Sequence, residues 1–275
     1  MPRGDAPRRA KKSLGQNFLV DRNLQLKIVD ALGAEPHDDV VEIGPGQGAL
    51  TRHLVDRCRR LVLVELDDHL AAALQDEFSG AESVEVVHGD VLRVDLPDRV
   101  ERFEDTLVIG NIPYNITTPI IFRLLATPRP RGIVLMVQEE VADRIVADVG
   151  TKSYGALSVG VRLVADVQKL FRVRRGSFRP VPGVDSAVIR IVPRRPAPLD
   201  PELERVTRVV VRAAFQWRRK QLGTILRSHP DLGLGDGAAE VLGEVGLPRT
   251  IRPERLSPED FSRLGHRVAA AGGRI

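Results

Sequence analysis

The pentapeptide Asn111-Ile112-Pro113-Tyr114-Asn115 carries the most chemically specific pattern in the sequence. An asparagine at a strand end, followed by x-Pro-aromatic, can aim its side-chain carbonyl and a backbone carbonyl at the two hydrogens of one NH₂ group. Two such acceptors localise the lone pair of an aromatic amine as an electrophilic carbon approaches, which stabilises the transition state selectively. Tyr114 adds a ring face for stacking a base. The pattern predicts chemistry on the amine of a nucleobase, and it favours this over a purely structural turn.

Three further groups stand where predicted strands end. The turn Gly44-Pro45-Gly46-Gln47-Gly48 lets backbone approach a ligand closely. Its GxGxG spacing differs from the GxGxxG of dinucleotide enzymes, and it lacks the GK[ST] of a phosphate loop. Glu65 ends the next predicted strand, where a carboxylate can accept from ribose hydroxyls, and Asp90 follows the third, where it suits the amine of adenine. Together these groups predict a nucleoside site.

Hydrophobic periodicity predicts the elements that position these residues. Short β-rich runs alternate with amphipathic stretches over the first two thirds of the chain, which predicts a parallel sheet covered by helices. Leu24, Ile28 and Leu32 recur at helical spacing, with Asp21 as the cap and Gly33 as the stop. Further helices are predicted at Leu50/Leu54, at Leu70/Leu74/Phe78, and after Thr118 as N-cap with Pro119 at the first helical position. The predicted strands are Asp39–Ile43, Leu61–Glu65, Val84–His88, Thr106–Gly110, Ile133–Val137, Val167–Val173 and Ala187–Val192, the last two as an antiparallel pair.

A change of composition at residues 193–198, Pro-Arg-Arg-Pro-Ala-Pro, predicts a domain boundary, because three prolines in six residues cannot continue a helix or a strand. Beyond it, periodicity predicts helices at 202–215, 221–227 and 238–245, and a last helix capped by Ser257. The predicted domains are a basic flexible tail at 1–12, an α/β domain at 13–193 and a small all-helical domain at 199–275.

The composition of the chain bears on whether the protein is membrane-bound, whether it holds a metal, and what kind of partner it binds. No apolar run approaches the ~18 residues of a membrane span, and no leader pattern is found, so a soluble cytoplasmic monomer without a membrane partner is expected. A single cysteine, Cys58, excludes disulfides within the chain, and the histidines lack metal-ligand spacing, so no metal is expected. Residues 169–195 hold eight basic residues against one acidic residue, although the whole chain carries only +4. Such charge separation favours a nucleic-acid partner.

Seven sequence segments and the residue Glu65 together resemble the S-adenosylmethionine-dependent rRNA adenine dimethyltransferases. The resemblance runs from about Lys11 to the C-terminus and is closest to the KsgA (RsmA) branch, which modifies two adjacent adenosines near the 3′ end of small-subunit rRNA. The motifs are Gln16-Asn17-Phe18-Leu19, the run from Glu42 to Gly48 with Glu65, Gly89-Asp90, Asn111 to Asn115, Ser177 to Ser186, and Phe215 to Leu222 with Arg252 to Ser257.

The resemblance implies a Rossmann-like class I methyltransferase sheet with a small all-helical C-terminal domain. It implies S-adenosylmethionine as cofactor, S-adenosylhomocysteine as product, and 16S rRNA within an assembling 30S subunit as partner. The residues that it assigns to the methyl donor are Asn17, Leu19, Gly44, Gly46, Glu65, Asp90 and Asn111. Those assigned to catalysis are Asn111, Pro113, Tyr114 and Phe178, with Tyr114 and Phe178 enclosing a flipped adenine. The expected RNA contacts are Arg174, Arg175, Arg179, Arg218, Arg219 and Lys220.

Three other functions are compatible with parts of the sequence. An Erm-type enzyme that modifies 23S rRNA shares most of the motifs, but the VDSAVIRI and RPERLSPEDF stretches favour the small-subunit enzyme. A non-catalytic rRNA-binding assembly or transcription factor could use the same fold, but Asn111, Pro113 and Tyr114 are intact. A dinucleotide oxidoreductase ranks last, because the glycine spacing is wrong and no hydride-handling residue set is found.

Overall fold

Seven strands form the central sheet of the first of two units in this computed structural model, which describes residues 16–272. The first unit runs to Ala142 and also takes in Gln168–Val192, and the second comprises Asp143–Val167 and the chain from Pro193. The elements in chain order are β1 (Phe18–Leu19), α1 (Arg22–Leu32), β2 (Asp39–Ile43), α2 (Thr51–Leu54), β3 (Arg60–Glu65), α3 (Asp68–Glu77), β4 (Val84–His88), β5 (Leu107–Asn111), α4 (Thr117–Leu124), β6 (Gly132–Gln138), α5 (Glu139–Ile145), α6 (Ala156–Arg162), β7 (Ala165–Val173), β8 (Phe178–Arg179), β9 (Ser186–Pro193), α7 (Pro201–Gln216), α8 (Leu222–Ser228), α9 (Ala238–Glu244) and α10 (Pro258–Ala270).

The strand order of the sheet is β4-β3-β2-β5-β6-β9-β7. The pairs β4/β3, β3/β2, β2/β5 and β5/β6 are parallel, whereas β9 runs antiparallel to β6. The chain leaves β2 toward β3 and β4 and then returns to β5 on the other side of β2. The strand order therefore reverses between β2 and β5, which is where open α/β sheets form a crevice at the carboxyl ends of their strands.

The local sequence signals for the first helix are confirmed. The Asp21 carboxylate accepts from the backbone N–H groups of Asn23 and Leu24, and Gly33 ends α1 in the left-handed conformation with φ of 67°. The seven predicted strands all occur, with boundaries that differ by no more than two residues. The apolar runs of the central strands β2, β3, β5 and β6 are buried on both faces, as a sheet covered by helices requires, whereas the edge strands β4 and β7 are partly exposed.

The predicted N-cap at Thr118 is wrong. Helix α4 begins at Thr117, two residues before the predicted start at Pro119, and Ile116 occupies the cap position without a side-chain hydrogen bond. A 3₁₀ turn over Tyr114–Ile116 leads directly into the helix, so no extended cap residue precedes it. Pro119 is then the third helical residue, where the missing N–H has no intrahelical partner to lose.

A two-residue antiparallel ladder was missed by the sequence analysis. In this ladder Phe18 pairs with Arg179 and Leu19 pairs with Phe178, and the Val20 N–H donates to the Ser177 carbonyl at 2.9 Å. Two residues per strand are too few for periodicity to register. The ladder joins the segment before α1 to the loop that carries Phe178.

The second unit differs from the predicted domain at 199–275 because it also includes residues 143–167. The Tyr154 hydroxyl donates to the Leu256 carbonyl at 2.7 Å, and the Gly150 N–H donates to the Glu254 carbonyl at 2.7 Å. The Phe215 ring lies 6.1 Å from that of Tyr154. These partners are remote in sequence, so composition alone could not reveal them. Among residues 16–272, no helix has both the length and the apolar character of a membrane span.

Candidate functional site

A cleft of about 210 Å³ lies in the first unit at the carboxyl ends of the strands. It occupies the point between β2 and β5 where the strand order reverses. The structure brings most predicted site residues together there, since Asn17, Leu19, Gly44, Gly46, Glu65, Asp90, Asn111, Pro113 and Tyr114 all line the cleft.

The glycine turn after β2 has a backbone that other residues rarely adopt. Gly44, Gly46 and Gly48 have φ values of 65°, 60° and 74°, in the left-handed region where a Cβ is strained. A Cβ on Gly46 would also lie 3.2 Å from the Phe18 ring. The turn therefore requires glycine both for its conformation and for the close approach of the segment before α1.

Glu65 joins two parts of the cleft through its carboxylate. Its Oε2 accepts from the Gly46 N–H at 2.9 Å, and its Oε1 accepts from the Asp67 N–H at 2.9 Å. The side chain is buried, and this burial raises the pKa of its carboxyl. The Leu66 N–H also interacts with this carboxylate, and a carboxylate has about four acceptor positions in all, so acceptor capacity remains for a hydroxyl donor.

Asp90 lies at the end of β4 with a more exposed carboxylate. Its Oδ1 accepts from the Leu92 N–H at 2.9 Å, and about a third of the side chain is exposed. The carboxylate therefore combines a fixed position with access to a polar donor in the cleft. Glu65 and Asp90 thus both line the cleft, as expected for residues that follow neighbouring parallel strands.

Glu42 is a cleft residue whose importance the sequence analysis missed. It lies in β2 with 1% of its surface exposed, and the Thr51 hydroxyl donates to its Oε2 at 2.7 Å. Burial, reinforced by nearby Glu65, raises the pKa of Glu42 to about 8. An acid inside an otherwise apolar, buried strand was the available signal.

The pKa of Glu42 makes stability depend on pH. The carboxyl binds its proton more tightly in the folded chain than at its ordinary pKa of 4.5, so the folded state loses stability as pH rises from about 4.5 to 8. Glu42→Gln removes this loss. Relative to wild type, the variant should gain up to about 1.4 kcal/mol of unfolding free energy per pH unit in that window.

Urea denaturation at pH 5 and pH 8.5 measures this difference. Glu140→Gln, which removes an exposed carboxyl, is the matched control. An equal effect of Glu42→Gln at both pH values would contradict a buried, protonated carboxyl.

The Asn111 side chain is oriented by the segment before α1. Its Nδ2 donates to the Asn17 carbonyl at 3.2 Å, which directs Oδ1 to the other side of the amide plane. Pro113 and Tyr114 follow on the same lining. The arrangement presents an amide oxygen and the backbone carbonyls of this turn as acceptors.

The segment before α1 is held at several points besides this bond. The Gln16 Nε2 donates to the Asp67 Oδ2 at 3.1 Å, and the Gln25 Nε2 donates to the Leu19 carbonyl at 2.9 Å. Residues 16–19 thus form one wall of the cleft. The sequence motif that contains Asn17 and Leu19 therefore contributes backbone carbonyls as well as side chains to the contacts at the cleft.

Phe178 does not line the cleft, in contrast to Tyr114. Its ring is fully buried in a core cluster that includes Leu19 and Val188. In this structure the two aromatic rings do not enclose an open space for a base. The backbone of Phe178 nevertheless pairs with Leu19, which is itself a cleft residue.

The basic residues predicted to contact RNA fall into two groups. Arg174, Arg175 and Arg179 belong to the first unit and are exposed around β8. Asp185 fixes this loop, because its Oδ1 accepts from the Arg175 N–H at 2.8 Å. The second group, Arg218, Arg219 and Lys220, follows α7 in the second unit.

The polar side chains of the cleft also bear on whether this site could hold a metal. Within residues 16–272, no group of three or more His, Cys, Asp or Glu side chains is arranged to hold an ion. The cleft combines carboxylates, an amide and a glycine turn, which are donors and acceptors suited to an organic ligand.

The family of this chain is identified by comparison with models of known protein families. Residues 8–234 match the family model described as ribosomal RNA adenine dimethylase. The chain belongs to this family. The matched range includes every motif of the resemblance except Arg252 to Ser257.

Members of the family from several bacteria are similar over almost their whole length. The ribosomal RNA small subunit methyltransferase A of Geobacter metallireducens is 44% identical over 270 residues, which cover 97% of this chain and 98% of the relative. The protein of the same name from Geobacillus thermodenitrificans is 42% identical, with coverage of 93% and 90%.

Solved structures of the family show the same fold. A dimethyladenosine transferase from Plasmodium falciparum aligns with a TM-score of 0.82 at 26% identity, covering 94% of this chain and 100% of that one. The 23S rRNA methyltransferase ErmE aligns with a TM-score of 0.71 at 30% identity, covering 92% and 100%. The proteins similar to this chain therefore include ones named for either ribosomal subunit.

Proposed function

We propose that this protein transfers methyl groups from S-adenosylmethionine to the N6 amines of two adjacent adenosines near the 3′ end of 16S rRNA, as a monomer acting on an assembling 30S subunit in the cytoplasm. The observation that supports this most directly is the Asn111 amide, held by the Asn17 carbonyl in a cleft that it shares with Glu65. The relatives named small subunit methyltransferase A support the choice of subunit.

The cleft residues fit the proposed methyl donor. When bound, S-adenosylmethionine supplies an electrophilic methyl group on a sulfonium. Glu65 retains acceptor capacity for ribose hydroxyls, and Asp90 suits the adenine amine. Gly44 and Gly46 provide a turn without side chains for close approach of the amino-acid end. Asn17 and Leu19 would cover the donor from the segment before α1.

The reacting amine would be held by the turn after β5. The Asn111 Oδ1 and a backbone carbonyl of the same turn would accept its two hydrogens, so the nitrogen lone pair points at the methyl carbon. In the transfer that the donor would support, a new C–N bond would form as the C–S bond breaks with its electron pair kept by sulfur, and the extra proton on nitrogen would pass to water. Tyr114 would stack on the adenine after it leaves its own RNA stack.

For Phe178 to enclose the flipped adenine together with Tyr114, its buried ring must become exposed when RNA binds. The short ladder between Leu19 and Phe178 is the element that would have to adjust. Because the ladder has few hydrogen bonds, opening it costs less free energy than moving a strand of the central sheet.

The two basic groups are proposed to contact rRNA phosphates. Reversing the charges of Arg218, Arg219 and Lys220 to glutamate should weaken RNA binding by at least about tenfold at physiological salt, and it should flatten the dependence of affinity on salt, because fewer counterions are released. Filter binding across a salt series measures both quantities.

Reversal of Arg205, which is exposed on α7 and paired with Glu202, is the control for a nonspecific change in net charge. An unaltered salt slope in the triple variant would place the RNA path elsewhere on the protein.

Incubation with labelled S-adenosylmethionine and undermethylated 30S or 50S particles, followed by nucleoside mapping, tests the function itself. Dimethyladenosine in 16S rRNA is the expected product. Labelling of 23S rRNA alone would instead identify an Erm-type activity, and binding without any transfer would identify a non-catalytic assembly factor.

A further inference from the structure

Ser186 is a buried hydroxyl with one partner that bears on the chemistry. It is the first residue of β9, and none of its surface is exposed. Its Oγ lies 2.8 Å from the phenolic oxygen of Tyr114. A buried hydroxyl needs a hydrogen-bond partner, since leaving it without one costs more than the bond itself contributes. The pair therefore fixes both side chains.

The position of this pair in the sheet shows what it accomplishes. Tyr114 follows β5, whereas Ser186 begins β9, and β6 lies between these two strands. The tyrosine side chain consequently passes the carboxyl end of β6 to reach its partner. Without that anchor, the ring of a residue in a 3₁₀ turn could rotate about two side-chain torsions.

The residue before Ser186 connects the same point to the basic loop. The Asp185 carboxylate accepts from the Arg175 N–H at 2.8 Å and from the Arg172 guanidinium at 2.5 Å. Its carbonyl accepts from the Glu139 N–H at 3.0 Å. Adjacent residues thus hold the loop of exposed arginines on one side and the cleft tyrosine on the other.

We infer that Ser186 is a positioning residue for the target base, which sets the plane of the Tyr114 ring by holding its hydroxyl. This inference rests on the proposed function, because it assigns to Tyr114 the stacking of an adenine. The ring then offers the base a face with a fixed orientation. Asp185, which is adjacent to Ser186 and binds the arginine loop, fixes the position of that loop relative to the ring.

The direct test observes the phenol and needs no enzyme activity. The chain contains two tyrosines, Tyr114 and Tyr154, so protein labelled with ¹³C at the tyrosine ζ carbon gives two NMR signals, which Tyr114→Phe assigns. Burial raises the pKa of Tyr114, and the bond from Ser186 lowers it. Ser186→Ala should therefore move the Tyr114 signal and raise its pKa further.

Ser158→Ala is the matched control, since Ser158 is also fully buried and its hydroxyl donates to the Arg144 carbonyl. It should leave the Tyr114 signal in place. A Tyr114 signal that does not respond to Ser186→Ala would overturn the inference, whatever the outcome of the activity assays.

Kinetics then test the positioning role. Ser186→Ala should lower kcat by about three- to tenfold, the effect of losing one neutral hydrogen bond, with donor affinity within about twofold of wild type. In a double-mutant cycle, Ser186→Ala should add nothing to Tyr114→Phe, because both remove the same bond. Full additivity would show that the serine acts through another contact. Failure of the wild-type protein to methylate either subunit would refute the proposed function without touching the NMR result.

Discussion

Asn111→Ala should reduce methyl transfer by about a thousandfold or more, with the affinity for the donor unchanged to within about tenfold. On the proposed mechanism the amide oxygen is needed only as the amine becomes tetrahedral, so its loss should raise the barrier more than it weakens binding. Single-turnover transfer to 30S particles measures the first quantity, and calorimetry with S-adenosylhomocysteine measures the second.

Two further variants sharpen this prediction. Asn111→Asp replaces the Nδ2 donor by an oxygen that faces the Asn17 carbonyl, so transfer should also fail although an acceptor oxygen is retained. Asn23→Ala, at an exposed position on α1, is the control and should transfer at the wild-type rate. Near-normal turnover by Asn111→Ala would remove the amide from the mechanism.

Glu65→Gln should raise the dissociation constant of the methyl donor by about thirtyfold or more. The substitution removes the charge that strengthens bonds from ribose hydroxyls, each worth about 1.5–3 kcal/mol to a charged acceptor. The amide also presents N–H hydrogens toward one of its two backbone donors, Gly46 or Asp67, so the glycine turn loses a support.

Calorimetric titration with S-adenosylhomocysteine measures the change. Glu85→Gln is the control, because Glu85 lies in β4 and pairs with Arg60 and Arg99 outside the cleft. An unchanged dissociation constant in Glu65→Gln would count against the assignment of this carboxylate to the ribose.

Local chemistry explains which parts of the fold were predictable. Asp21 and Gly33 mark the ends of α1 because capping and left-handed φ depend on a few adjacent residues. The strands that end at Ile43 and Glu65 were equally clear, since strands buried on both faces consist of continuous apolar runs. The convergence of strand-end acids on one cleft followed from parallel topology.

The features that were missed depend on contacts remote in sequence. The pairing of Leu19 with Phe178 joins segments far apart in the chain, and burial of the Phe178 ring follows from it. The assignment of Tyr154 to the second unit depends in the same way on Leu256. Glu42 was overlooked because its burial, and hence its raised pKa, depends on the helices that cover β2.

The hydrogen bond to the Asn17 carbonyl matters for the design of shortened or tagged forms of this protein. The amide that it orients belongs to the central sheet, whereas the carbonyl itself lies in a peripheral segment. A shortened chain that starts at Asp21 should retain the sheet while losing both the orientation of that amide and the ladder that joins β1 to the arginine loop. On the proposed mechanism such a truncation should be inactive, so affinity tags are better joined at the opposite terminus.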